Sequence, residues 1–214
     1  GVVRVLSQSP YDLLIYNMDT PELRDNFFHH LPPQENVDGT LLISLPPSDE
    51  EAALLAESDR PVVLIDSEHP LLEEFHQIRV DDVKGGEIAT QHLIDLGHRK
   101  IGFIGDLTDT PFHFTSSRDR RRGYENALRA AGLPVRPDYY AEGEHGRRSA
   151  RELAEEMLSL PDRPTAIFAA SDTQAVGVLE AARQLNLSVP AQLSVVGYDD
   201  IELADIMQLT TVRQ

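Results

Sequence analysis

The chain has 214 residues, 41% of them hydrophobic, and a formal net charge of −17. That length can bury a real core in one large domain or two small ones, and the composition excludes a disordered chain. The charge excludes a duplex-DNA surface on these residues, because such a surface needs clustered Lys and Arg.

The first apolar run, "YDLLIYN" (11–17), reads as a β-strand. "GTLLISL" (39–45) and "PVVLID" (61–66) are two more. The composition shifts near residues 78–82, and after "HQIRVDD" a second set of elements begins. This places a boundary between a lobe of residues 1–79 and a lobe of residues 80–214. In "GGEIATQHLIDLG" (85–97), Ile88, Ala89, His92, Leu93 and Leu96 recur at helical spacing, and Gly97 stands as a C-cap. The pair Gly85–Gly86 points to close helix packing rather than to a phosphate cradle. "KIGFIG" (100–105) is a strand. "RGYENALRAAG" (122–132) repeats the helix design with Tyr124, Ala127, Leu128 and Ala131, ended by Gly132. "SARELAEEMLSL" (149–160) is the next helix, and "PTAIFAA" (164–170) the next strand. Ser171 or Asp172 then caps "DTQAVGVLEAARQLN" (172–186), and "LSVVGY" (193–198) is the last apolar strand.

Strands that are apolar throughout, alternating with helices, predict an α/β fold with parallel sheets covered on both faces. Ligands bind outside the carboxyl ends of such strands. The candidates there are Asn17 to Asp19, Ser44 to Pro47, Asp66, Ser67, Asp106, Ser171, Asp172, Asp199 and Asp200. Small polar and acidic residues suit a neutral, hydroxyl-rich ligand better than a phosphate, and no GxGxxG or P-loop is present.

Catalytic readings find little support. There is no cysteine, which removes disulfides and thiol chemistry, and there is no GxSxG or HExxH. His29 and His30 have no further ligand at zinc-site spacing. His92 falls on the face expected to be buried, as a core histidine. His98 follows a C-cap, where an imidazole meets free carbonyls or the helix dipole. "RDRRR" (118–122) reads as a solvated helix start. Asp199 and Asp200 are neighbours at a strand end, so extended geometry aims them at opposite faces and separates their roles. No apolar run approaches the ~20 residues of a membrane helix, and nothing at the start has the form of a signal peptide.

The order of motifs resembles the effector-binding core of the lactose-repressor (LacI/GalR) family. The matching stretches are "VDGTLLIS" (37–44), "PVVLID" (61–66), "VDDVKGGEIATQHLIDLGHRKIGFI" (80–104), "SSRDRRRGYENALRAAGL" (116–133), "PTAIFAASDTQAVGVLEAARQLNLSVPAQLSVVGYDDIELA" (164–204) and "LTTVRQ" (209–214). The resemblance covers nearly the whole chain. It implies two Rossmann-like lobes of the type I periplasmic-binding-protein kind. It also implies that the first strand and a helix-turn-helix headpiece precede this chain, and that a returning strand and helices follow it.

The same resemblance implies an effector site. Ser44 matches a polar contact, Asp66 a cleft carboxylate, and Val80 an apolar contact at the first crossover. Arg120 matches an arginine reaching into the pocket, with Ser116 a contact four residues earlier. Ser171 matches a polar contact with Asp172 as the helix cap, Asp199 the pocket carboxylate with Asp200 structural, and Gln214 a polar residue at the second crossover. His145, in "GEH" (143–145), stands where many members carry an aromatic that stacks on the ligand, which departs from the family's pattern. "HHLPPQENVDG" (29–39) is shorter and richer in proline than the helix the family has there.

The implied function is a ligand-responsive bacterial transcriptional repressor, cytoplasmic and homodimeric. It is not an enzyme, and it needs no cofactor or metal. Its partners are a sugar or related polyol as effector and operator DNA bound through the headpiece. A periplasmic-type sugar-binding protein of a transport system is the alternative on the same fold, and an α/β enzyme such as a sugar hydrolase is the third.

Overall fold

A computed structural model gives the architecture of residues 2–18, 20–29, 37–58, 60–108 and 114–214. Asp19 and His30, both singled out above, lie outside the described residues. The chain divides into two compact units, residues 1–43 with 47–77, and residues 44–46 with 78–214.

The first unit carries helices α1 (Val2–Leu6), α2 (Pro21–His29) and α3 (Asp49–Ala56), and strands β1 (Thr40–Ile43), β2 (Val62–Ile65) and β3 (His76–Ile78). The strand order is β1-β2-β3, with β1 and β2 parallel. Its apolar centre is Phe28, Leu42, Leu55, Leu64 and Leu72. A capping box starts α3: Ser48 accepts from the Glu51 amide, and the Glu51 carboxylate accepts from the Ser48 amide. The same carboxylate takes the Arg24 guanidinium at 2.6 and 2.5 Å, which ties α2 to α3.

The strand expected over 11–17 does not form. No described strand pairs with these residues, and Leu14 and Ile15 are 62% and 79% exposed. Apolar character specifies a strand only where a ladder partner and a covered face are available. Tyr16 packs instead on Phe27 of α2, at 5.1 Å between ring centroids. The short, polar β3 was not anticipated.

The second unit contains β4 (Ile101–Asp106), β5 (Tyr140–Gly143), β6 (Ala166–Ala169), β7 (Ser194–Asp199) and β8 (Thr210–Arg213), and helices α4 (Asp82–Asp95), α5 (Ser116–Ala130), α6 (Arg147–Leu158), α7 (Asp172–Gln184) and α8 (Glu202–Met207). Its sheet runs β5-β4-β6-β7-β8, with every neighbouring pair parallel. Alternation along the strands sorts the core into two layers. Phe103, Phe168, Val196 and Tyr198 pack with Ala89, Leu93, Tyr124 and Leu128 of α4 and α5. Ile104, Ile167, Ala169 and Val195 pack with Ala150, Ala154, Val178 and Ala181 of α6 and α7. The buried Tyr124 hydroxyl is satisfied, donating to the Ile101 carbonyl at 2.8 Å.

The glycine pair does serve helix packing. A Cβ on Gly86 would stand 2.2 Å from the Arg120 carbonyl oxygen, and one on Gly123 would stand 2.1 Å from that of Val83. This close approach sets the buried stripe of α4, which is Gly85, Gly86, Ala89, Thr90, Leu93 and Ile94. Ile88 and Leu96 are therefore exposed, at 52% and 61%. His92, expected in the core, lies on that same outer stripe and is exposed. Gly97 ends α4 as expected, at φ +94. The His98 amide reaches back to the Leu93 carbonyl, and the Gly97 amide to that of Ile94.

The His98 side chain corrects another expectation. Its ring meets neither free carbonyls nor the helix end. Nδ1 lies 2.9 Å from the Thr165 hydroxyl and Nε2 2.9 Å from that of Ser194, at the starts of β6 and β7. Burial lowers its pKa from the usual 6.5.

Candidate functional site

The carboxyl ends of β4, β6, β7 and β8 gather a polar cluster in the second unit, with Arg120 at its centre. Arg120 is only 7% exposed. Its Nε donates to Asp82 Oδ1 at 2.7 Å, and its Nη1 donates to the Ala170 carbonyl at 2.6 Å and to Asp199 Oδ1 at 3.3 Å. The guanidinium carbon lies 3.7 Å from the centre of the Tyr198 ring, a cation–π contact. Gly85 makes this stack possible, since a Cβ there would stand 2.1 Å from the Tyr198 hydroxyl oxygen. Burial, and after it the Asp82 charge, pushes the Tyr198 phenol up to about 12, so it stays protonated.

Asp199 receives a second donor, the Gln214 amide, at 2.7 Å. Burial raises its pKa above the usual carboxylate value. Arg120 and Gln214 oppose that rise, while Asp172 and Asp82 add to it.

The expected extended strand end is not what separates the two acids. Asp199 and Asp200 both have positive φ, at +109 and +55. Each such non-glycine residue costs on the order of 1–3 kcal/mol, a cost that persists only where the surroundings fix it. A tight turn sends Asp199 to Arg120 and Gln214, while Asp200 pairs with Arg213. Ser44 (+50) and Asp66 (+48), directly after β1 and β2, share this backbone sign.

A second group adjoins β4. Asp106 Oδ1 accepts from the Gln174 amide at 2.8 Å and lies 3.1 Å from His145 Nδ1. Gln174 is held in turn by the Ser171 hydroxyl, which donates to its Oε1 at 3.1 Å. The hydrogen bond to Asp106 raises the His145 pKa above 6.5, against the lowering effect of desolvation. Substituting Asp106 by Asn is expected to return the His145 midpoint toward 6.5, read from its ring resonances in an NMR pH titration. The sign follows from the raised pKa: the pair contributes stability below pH 6.5 and loses it as pH rises through the His145 midpoint. His145 is exposed, so that contribution is small.

Of the residues predicted from sequence, Arg120, Asp199 and Gln214 are in direct contact, and His145 and Ser171 belong to the adjoining group through Asp106 and Gln174. Ser116 opens α5 beside them, but it is the next residue, Ser117, whose hydroxyl accepts from the Asp106 amide at 2.8 Å. Ser171, not Asp172, is the N-cap of α7, accepting from the Gln174 amide. The expected capping role of Asp172 is thus corrected. Val80 precedes α4 and is half-buried, Ser44 is exposed after β1, and Asp66 lies in the first unit and is half-buried. The sequence reading missed Asp82, Gln174, Ser117 and Tyr198. Asp82 had a visible signal, as the second acid of "VDD" at a helix start, the same doublet that drew attention to Asp199. Among the described residues, no three His, Asp or Glu side chains converge as a metal site.

A family model described as a periplasmic binding protein-like domain matches residues 90–214. The chain belongs to the periplasmic binding protein-like domain family. Within it, the chain is similar to the ribose operon repressor of Escherichia coli K12, at 35% identity over 218 aligned positions that take in 100% of this chain and 64% of that protein. It is also similar to the HTH-type transcriptional repressor PurR of Photobacterium profundum, at 32% identity with the same coverage of each. A solved structure of the transcriptional regulator CelR in complex with cellobiose matches at 32% identity and a TM-score of 0.79, covering 91% of this chain and 59% of that one. These relatives place the chain in the LacI/GalR branch, as its effector-binding core. The chain spans 64% of the length of the two repressors.

Proposed function

We propose that this chain is the effector-binding core of a ligand-controlled transcriptional repressor, and that the Arg120 cluster is part of the effector site. The observation that carries the proposal is the buried Arg120 holding Asp82 at the start of α4 and Asp199 at the end of β7, in a chain similar throughout to repressors. The effector is a sugar or related polyol. Asp199, Asp66 and Gln214 accept from or donate to its hydroxyls, and Ser44, Val80, Ser116, His145 and Ser171 complete the contacts. Residues 1–79 and 80–214 are the two lobes, and effector binding favours one of the repressor's states over the other. In a homodimer this respaces two headpieces on operator DNA, so effector and operator affinities are linked reciprocally. The charge of −17 fits this division, with sensing here and DNA contact in a basic headpiece elsewhere. The repressor relatives favour a cytoplasmic regulator over a transport component. Among the described residues, no helix is long and apolar enough to cross a membrane.

A thermal-shift screen with D-ribose, cellobiose, other sugars and nucleosides tests the reading. A true effector adds about 2.7 kcal/mol of apparent stability at ~100 times its Kd, and it binds without being turned over. Asp199→Asn removes a charged acceptor and is expected to weaken the hit about tenfold or more in calorimetry, since hydrogen bonds to charged groups are worth ~1.5–3 kcal/mol. Unchanged affinity in Asp199→Asn, or chemical conversion of the hit, speaks against the proposal.

A further inference from the structure

We infer that Asp172 and Thr211 form a positioning pair that holds Asp199 and Gln214 in their places, an inference whose functional meaning rests on the effector-site reading above. Asp172 is a carboxylate only 1% exposed at the first position of α7, where Ser171 already supplies the cap. Its oxygens serve two other elements. Oδ2 accepts from the Ile201 amide at 2.9 Å, and Oδ1 accepts from the Thr211 hydroxyl at 2.6 Å. The Thr211 oxygen in turn accepts from the Asp200 amide at 3.3 Å. Strand β7 is bare beside this carboxylate, because a Cβ on Gly197 would stand 2.3 Å from Asp172 Oδ1.

One buried carboxylate therefore reaches both structures that present the site. Through Ile201, and through Thr211 to Asp200, it pins the positive-φ turn that aims Asp199 at Arg120. Through Thr211 it fixes β8, whose chain reaches Gln214 three residues later. The ion pair of Arg213 with Asp200 closes the same loop from its outer side. Strain of this kind is kept where neighbouring groups over-determine the backbone, and the buried Asp172 with the half-buried Thr211 is the inner part of that restraint.

The test follows the Asp199 carboxyl by carbon-detected NMR across a pH titration, with thermal melts confirming that each variant is folded. Thr211→Val keeps the side-chain shape and removes the hydroxyl, whereas Thr211→Ser keeps the hydroxyl. Thr211→Val is expected to let the turn relax, expose Asp199, and lower its midpoint toward the ordinary 3.8, since burial is the main cause of the rise. Thr211→Ser is expected to retain the raised midpoint. Thr211→Ala, which also removes the hydroxyl and leaves the Asp172 charge in place, should act as Thr211→Val does and serves if that variant does not fold. A loss of stability alone would not move a titration midpoint within the folded protein. The inference is overturned if the midpoint stays unchanged in Thr211→Val and Thr211→Ala, or if Thr211→Ser shifts it as far as Thr211→Val. Failure of every sugar and nucleoside to bind would instead overturn the effector reading and leave the titration result standing.

Discussion

Replacing Arg120 with alanine is expected to destabilise the second unit by about 3–5 kcal/mol, the range for removing one partner from a buried ion pair. The loss comes mainly from what remains. Asp82 keeps a carboxylate whose side chain is 11% exposed, without its partner at 2.7 Å. Asp199, at 29% side-chain exposure, loses the cation that opposes its raised pKa. The Ala170 carbonyl loses a donor at 2.6 Å, and the Tyr198 face loses its guanidinium. Lysine does not repair this, because a single ammonium cannot meet an acid, a carbonyl and a ring face with one planar fork. Urea unfolding monitored by circular dichroism checks the figure. A loss below about 1 kcal/mol would mean that Arg120 holds nothing that water cannot replace.

The second large effect is expected at a residue with no side chain. Gly123→Ala places a methyl 2.1 Å from the Val83 carbonyl oxygen and 2.7 Å from the Glu87 amide nitrogen. Both obstacles are helix backbone, so no side chain can swing away. The helices α4 and α5 must separate, and overpacking of this kind costs about 1–3 kcal/mol or more. Exposed positions provide the control, since alanine in place of glycine inside a helix ordinarily gains up to ~1 kcal/mol of propensity. The measured sign of the change therefore decides the matter: a stabilised Gly123→Ala would show that the helices are not in contact there. A separation of α4 and α5 would also displace Asp82 and Arg120, which those helices carry, so the ion pair should weaken together with the packing.

The sequence made the second unit legible because its signals were redundant. Strands β4, β6 and β7 are apolar runs that stay largely buried, and α4 and α5 are ended by Gly97 and Gly132 as their spacing implied. The first unit offered no such redundancy. "YDLLIYN" is as apolar as a strand, yet strand formation depends on a partner that a local reading cannot supply. The phase of α4 held for Ala89 and Leu93 but not for Ile88, His92 and Leu96, for a related reason. Hydrophobicity favoured Ile88 and Leu96, while the actual contact runs through Gly85 and Gly86, residues that carry no hydrophobic signal. In the site, motif resemblance found Arg120, Asp199 and Gln214 at their separations along the chain. It did not find that Ser171 caps α7 and leaves Asp172 for the turn, since both adjacent residues are eligible caps and only the positions of Ile201 and Thr211 distinguish them.

The two imidazoles at opposite ends of the second sheet have opposite acid responses. His98, bridging hydroxyls at the amino ends of β6 and β7, has a lowered pKa, so its contribution to stability is present above pH 6.5 and fades as acid protonates it. His145, beside Asp106 at the carboxyl end, has a raised pKa and gains its ionic partner as acid is added. Acidification thus adds a small, solvent-screened contribution at the carboxyl end and removes one at the amino end. The sheet carries a polarity of proton response along its own axis, its two ends answering acid with opposite signs.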